Sequence, residues 1–415
     1  MPSKALQISA VLFATFTVID VHIGAMRRWT PNAIVIPDNA HRTERVAADE
    51  LAHYIALATN VNVHIVTESQ AGNARKAIWL GRTKCAQLPR EFERLPHEVM
   101  RDAFVIKRVG NDVALYGGSP RGTLFAVYRY LERAFGWRWL QPDAGGESLT
   151  DEYDPQFPRY RMIEIPHFAI RGLVRPWAGV QRWYAKLGLN YALIPVKWGN
   201  LSGKRLEWIL DASLSVELGE HCFSVYSPKG KMLCPHDIST LEHALRKLNE
   251  LVRANPMVET FGIWPEDGIF VFCQCEQCGK FHPLETLDER YLRIINWLAE
   301  KALGHHPKIR IGFLAYNQYR QPPRGAKVFA KNTVLAYAAP IGFASITDRK
   351  RYQRFVHGLR KWLKCGVKRI WVYEYFNCSD DIVRMSALFP HVIGREIRML
   401  LRTGASGLMS QIDNP

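Results

Sequence analysis

Two carboxylates stand side by side in Trp264-Pro265-Glu266-Asp267-Gly268. Adjacent acids repel, and the repulsion raises the pKa of one of them toward the range of a proton donor. A third carboxylate, Glu374, lies in Trp371-Val372-Tyr373-Glu374-Tyr375. Cleavage of an acetal link between sugars uses one carboxyl to protonate the leaving oxygen and a second as base or nucleophile. On that scheme Glu266 or Asp267 is the acid and Glu374 its partner. Plainer roles stay open: Glu266 or Asp267 as the cap of the next turn, and Glu374 as the partner of a nearby Arg or Lys.

Flat aromatic faces suit sugar rings. Trp177, Trp198 and Tyr316 are candidate platforms or else packing at a rim, and Asn317 and Tyr375 stand at equivalent positions. His221 follows Leu218-Gly219-Glu220, where it either binds hydroxyls, tunes a carboxyl, or bonds a neighbouring backbone carbonyl. Cys273-Gln274-Cys275-Glu276-Gln277-Cys278 has C-x-C-x₂-C spacing, which suits a structural zinc with Cys234 or His282 as fourth ligand. A disulfide or free thiols are the alternatives. An all-thiolate site would leave no coordination position for a reacting water, so no cofactor is expected for catalysis.

Positioning these residues needs elements that end near one another. Eight short apolar strands are read at 170–174, 191–196, 215–218, 260–264, 309–315, 333–337, 369–373 and 407–409, with helices clearest at 238–254, 288–302 and 351–364. Eight such strands in about 250 residues match a (β/α)₈ TIM-type barrel, with chemistry at the C-terminal strand ends. Those ends also carry Arg175, Lys197, Tyr337, Gln411 and Asp413. Before them, residues 29–142 read as a small α/β domain, 143–165 as a linker rich in Gly, Asp and Pro, and 166–415 as the barrel. The fold class is therefore α/β, with the barrel reading as truncated after its eighth strand. Gly117-Gly118-Ser119-Pro120-Arg121-Gly122 fits neither the P-loop nor the dinucleotide pattern, so these glycines serve tight turns.

The 415 residues carry a formal net charge of +16 with 23% charged and 47% hydrophobic residues, which excludes a disordered chain. The basic residues are dispersed and no nucleic-acid motif is present, so no nucleic-acid partner is expected. The excess either solvates the surface or favours an acidic glycan. Residues 1–28 read as an extension or a signal: Lys4 precedes the apolar run from Ala10 to Ile19, which Thr15, Thr17 and Asp20 dilute. The run is too short and polar for a membrane span. A secreted or periplasmic location is favoured over the cytoplasm.

Residues Gly117 to Pro142 (GGSPRGTLFAVYRYLERAFGWRWLQP), with ERVAADELAHYIALAT and AIWLGRT upstream, resemble the domain that precedes the barrel in family 67 α-glucuronidases and family 20 β-hexosaminidases. The remainder resembles the glycosidase-like barrel called domain of unknown function 4838. That likeness rests on GEHCF at Gly219–Phe223, Leu233-Cys234, Asp267 followed by CQCEQC, IGFLAY at Ile311–Tyr316, and WVYEY. The resemblance implies glycoside hydrolysis of a polysaccharide or oligosaccharide, with a non-catalytic glycan-binding protein as the alternative. Family 20 carries Asp then Glu where this chain has Glu266 then Asp267. Relatives also tend to carry an acid where Leu408-Met409-Ser410-Gln411 stands.

Overall fold

The structure, a computed structural model, describes residues 29–142, 144–174, 181–267, 273–282, 284–325, 330–340, 348–377 and 390–412. The first half builds a six-stranded sheet. Its elements are β1 (Ala33–Ile36), α1 (Arg42–Thr59), β2 (His64–Thr67), β3 (Ala77–Leu80), α2 (Arg90–Glu93), α3 (His97–Met100), β4 (Phe104–Val109), β5 (Asp112–Gly117) and α4 (Pro120–Tyr130). A small hairpin of β6 (Trp137–Trp139) and β7 (Glu147–Leu149) follows, then β8 (Arg161–Glu164). The sheet order is β2-β1-β3-β5-β4-β8, with β4 antiparallel to both of its neighbours.

Residues 143–165 are thus not simply a linker. β7 pairs with the Trp-rich β6, and Arg161–Glu164 adds an edge strand to the sheet. Pairing of β8 with β4 satisfies backbone groups that a free linker would leave to water.

The second half contains β9 (Ile170–Val174), α5 (Gln181–Lys186), β10 (Tyr191–Pro195), α6 (Gly203–Asp211), β11 (Ser215–Gly219), α7 (Phe223–Tyr226) and α8 (Ile238–Ala254). It continues with β12 (Thr260–Gly262), α9 (Leu287–His305), β13 (Arg310–Ala315), β14 (Thr333–Ala338), α10 (Arg349–Lys364), β15 (Ile370–Asn377), α11 (Pro390–Thr403) and β16 (Gly407–Ile412). All eight strands pair in parallel and close into a barrel, β16 bonding back to β9. Every expected strand is present, and α8 has the span its periodicity gives. Leu241, Ala244, Leu248 and Leu251 form its buried stripe. Asp237 caps α8 and Thr286 closes a capping box with Glu289 on α9, so both helices start where side chains satisfy the first amides. A cleft of about 910 Å³ runs beside β16 and β9, lined by Leu187, Ile393, Ile397, Leu401 and Leu408. No described helix is long and apolar enough to cross a membrane.

The first domain grips the barrel at the N-terminal ends of its strands. Asp102, whose side chain is fully buried, accepts hydrogen bonds from Arg121, from Arg171 at 2.7 Å, and from Asn190. Arg121 also donates to the Ser213 carbonyl at 2.7 Å and to Ser215 Oγ at 3.1 Å. These contacts join the starts of β9, β10 and β11. Glu98 binds Arg310 at 2.7 Å and Arg369 at 3.3 Å, and Arg101 pairs with Glu259, adding β12, β13 and β15. Asp102→Ala would strand Arg121 without its charge partner inside the interface. It is expected to cost about 3–5 kcal/mol in denaturant unfolding, the range for breaking a buried pair, whereas a loss under about 1 kcal/mol would count against this role.

Candidate active site at the barrel mouth

Side chains alternate along a strand, so residues two apart share a face. On β15 the Trp371 ring meets the Tyr191 ring at 5.2 Å, and Tyr373 meets Trp264 at 6.1 Å, which sets both inside the barrel. Tyr375 continues this row, its ring 5.1 Å from that of Tyr373. Glu374 therefore points the other way, out of the barrel and into the helix layer. There it meets Glu396 of α11, and both carboxyls are buried. Burial pushes the Glu374 carboxyl well above the ordinary carboxylate range, and the charge of Glu396 pushes it further. The expected carboxylate of the seventh strand is thus not in the cleft. Strand parity turns it into the wall.

The adjacent pair of the fourth strand also differs from expectation. Glu266 binds Lys197 Nζ at 2.6 Å through one oxygen, and the Ser224 amide at 2.9 Å and the Ser224 hydroxyl through the other. Burial pushes its carboxyl up, but the bonds from Lys197 and Ser224 and the Lys197 charge outweigh that and hold it below the usual range. Glu266 is then an ionised bridge across the loops after β10, β11 and β12, not a proton donor. Asp267 is exposed, and its charge acts on the buried hydroxyl of Tyr319 together with Tyr316 and Tyr375. Asp267, Tyr316 and Tyr375 therefore lie around the Tyr319 hydroxyl, which is itself shut away from solvent.

His221 takes its plainest role. Its Nδ1 lies 2.6 Å from the Pro265 carbonyl, and its backbone bridges to Trp264, which fixes the loop after β11 against the end of β12. Trp198 is 51% exposed, and the Arg205 guanidinium lies over its ring at 4.9 Å, so at least one face is covered. Asn317 is exposed at the end of β13 with a left-handed backbone (φ 46°), a conformation Asn tolerates. Arg175, Trp177 and Asp413 lie outside the described residues.

Two acids are absent from the sequence reading. Glu217, at the centre of β11, is buried inside the barrel and accepts a 2.6 Å hydrogen bond from Tyr191. A side chain at Gly262 or Gly312 would collide with its carboxyl, so these glycines make room for it. Burial pushes Glu217 up to about 7, with Tyr191 and Trp264 acting in the opposite sense. Its signal in the sequence is one acid in an otherwise apolar strand, SVELG. Glu220, just past β11, has φ 70°, a left-handed conformation that costs a non-glycine residue about 1–2 kcal/mol. Such strain concentrates at functional sites. Its one mark in the sequence is its place in the GEHCF segment that carries the resemblance.

The cysteine cluster is compact. Cys234, Cys273, Cys275 and Cys278 hold their sulfurs within 4.8 Å of one another, whereas His282 stacks on His236 with ring centroids 3.7 Å apart.

A closed parallel eight-stranded barrel is a (β/α)₈ TIM-type fold, which places its sites at the C-terminal strand ends. Among the solved structures that share the fold are CpGH84D, a Flavobacterium johnsoniae chitobiase (FjGH20), and a beta-N-acetylhexosaminidase from Bacteroides fragilis NCTC 9343. Their TM-scores are 0.51, 0.51 and 0.53 and their identities 11%, 10% and 10%. Each match covers 93% of this chain, and 63%, 62% and 82% of the other chain respectively. This chain thus spans less than two thirds of the first two, and at such identities the likeness is one of fold. The family described as "Domain of unknown function (DUF4838)" matches residues 221–414, a little under half of the chain. No curated protein sequence matches it.

A buried acid lifted from 4.5 to about 7 retains a proton that the unfolded chain has released, so stability falls as pH rises across that window. Glu217→Gln keeps an acceptor for Tyr191 and removes the titration. Above pH 7 the variant is expected to gain up to about 3 kcal/mol over the parent, with little gain at pH 4. Denaturant unfolding at both pH values checks this, and parallel pH profiles would remove Glu217 from the account.

Proposed function

We propose that this chain is a glycoside hydrolase whose proton donor is Asp267. One observation carries the reading: Asp267 stands exposed in the loop just after the fourth strand of a closed barrel, near the half-buried rings of Tyr316 and Tyr375. An acid there can protonate a glycosidic oxygen while the rings support the sugar. Glu374 has no part in the reaction. Glu220, at the end of the third strand with its backbone held left-handed, is the second carboxylate assigned to the site. Lys197, Glu266 and Ser224 hold the loops around it. The net charge of +16 favours an acidic, uronate-bearing oligosaccharide or polysaccharide.

The inward turn of Tyr373 and Tyr375, with Glu374 in the wall, also supports a second reading, a glycan-binding protein without turnover.

A panel of neutral and uronate-bearing glycans separates the two. If the chain is a hydrolase, Asp267→Asn is expected to lower turnover about 10²–10⁴-fold with glycan binding retained. Glu374→Gln is expected to leave turnover within about twofold, since its carboxyl is remote from any sugar in the mouth. Full activity in Asp267→Asn would sink the assignment. Binding by the parent without turnover on any glycan would favour the binder.

A further inference from the structure

Cys234 Sγ lies 3.7 Å from Cys275 Sγ and 3.6 Å from Cys278 Sγ. Four thiolates around one zinc ion, each about 2.3 Å from the metal, stand about 3.8 Å apart at the corners of a tetrahedron. A disulfide would need sulfurs about 2.05 Å apart, far closer than these. Cys234 and Cys278 are buried, Cys273 is half-buried, and Cys275 reaches the surface.

We infer that Cys234, Cys273, Cys275 and Cys278 bind one zinc ion as a closed structural site that staples the loop after β11 to the loop after β12. Cys234 is the fourth ligand. His282 is occupied in a stack with His236, which in turn bonds Glu285 at 2.6 Å. Tetrahedral all-sulfur sites select zinc or iron among first-row metals, and a closed site with no electron-transfer partner built into it suits zinc.

The shell around the sulfurs is built for this. Arg290 of α9 donates to the Cys278 carbonyl at 2.9 Å and to the Cys273 and His282 carbonyls at 3.4 and 3.3 Å. One guanidinium therefore grips the backbone of the ligand loop and brings positive charge beside a centre whose net charge would be −2. Four thiols give up their protons to solvent as the metal enters.

The consequence falls on the mouth. Asp267 precedes Cys273 by six residues, so the zinc would anchor the far end of the segment that begins at Asp267.

The test is metal analysis of the whole chain, purified under reducing conditions and reconstituted with zinc alone. The parent is expected to hold about one zinc per chain, the stoichiometry of a closed four-ligand site. Cys234→Ser and Cys278→Ser are expected to lose it, and His282→Ala to keep it. Cys275→Ser, at the surface, guards against misfolding of the buried variants and should bind zinc far more weakly. Cobalt in place of zinc is expected to give the intense visible absorption of a tetrahedral tetrathiolate. A parent without zinc after reconstitution, iron in its place, or zinc lost from His282→Ala but kept by Cys234→Ser would overturn the assignment. Metal content is read without a substrate, so a chain lacking hydrolase activity still tests it.

Discussion

The side chains of Asp102 and Arg121 are both shut away from water, and neither would be tolerated there alone. Burial pulls the Arg121 guanidinium down, and the Asp102 charge opposes that pull. Arg171 and Asn190 occupy the other carboxylate oxygen, so the acid is bonded on both sides. Because those donors belong to the first two barrel strands, and Arg121 itself reaches the start of the third, one carboxylate fixes two domains against each other. Glu98 and Arg101 extend the grip around the circle. This end of the barrel is thereby defined, and the opposite end is where acids and rings meet solvent.

The barrel interior is divided by size. Trp371 and Tyr191 fill one side, with Trp264 and Tyr373 above them, while Gly262 and Gly312 open the other for Glu217. Large and small residues facing one another in this way keep a core dense. The same inward row on β15 explains why Glu374 faces α11, since only alternate residues can join it. A buried carboxyl pair, Glu374 with Glu396, then sits in the wall, where sharing protons is the way two acids coexist without water.

Much of the architecture is legible in the sequence, because eight apolar runs separated by helical stripes leave few alternatives to a parallel barrel. Parity is not legible. Barrel strands are buried on both faces, so WVYEY carries no polar side to show which way Glu374 points. Glu217 was hidden for the same reason, inside a run that reads as core. β8 escaped because RMIE is short, sits between prolines and gains its stability from pairing with β4, a partner far away in the chain. Adjacent acids suggest mutual repulsion, yet Lys197 and Ser224 come from two other loops and take up Glu266. For the cysteines, spacing gives three thiols, and only the meeting of two loops selects Cys234.

A protein held at one rim and open at the other has a stiff end and a pliant end. Where ionic contacts gather at the strand starts, changes must preserve partners across two domains. Toward the strand tips, the Lys197–Glu266–Ser224 bridge is half-exposed and couples only neighbouring loops. Substitutions there tax the scaffold little. Ligand preference in such a molecule can drift over generations while the foundation stays as it is.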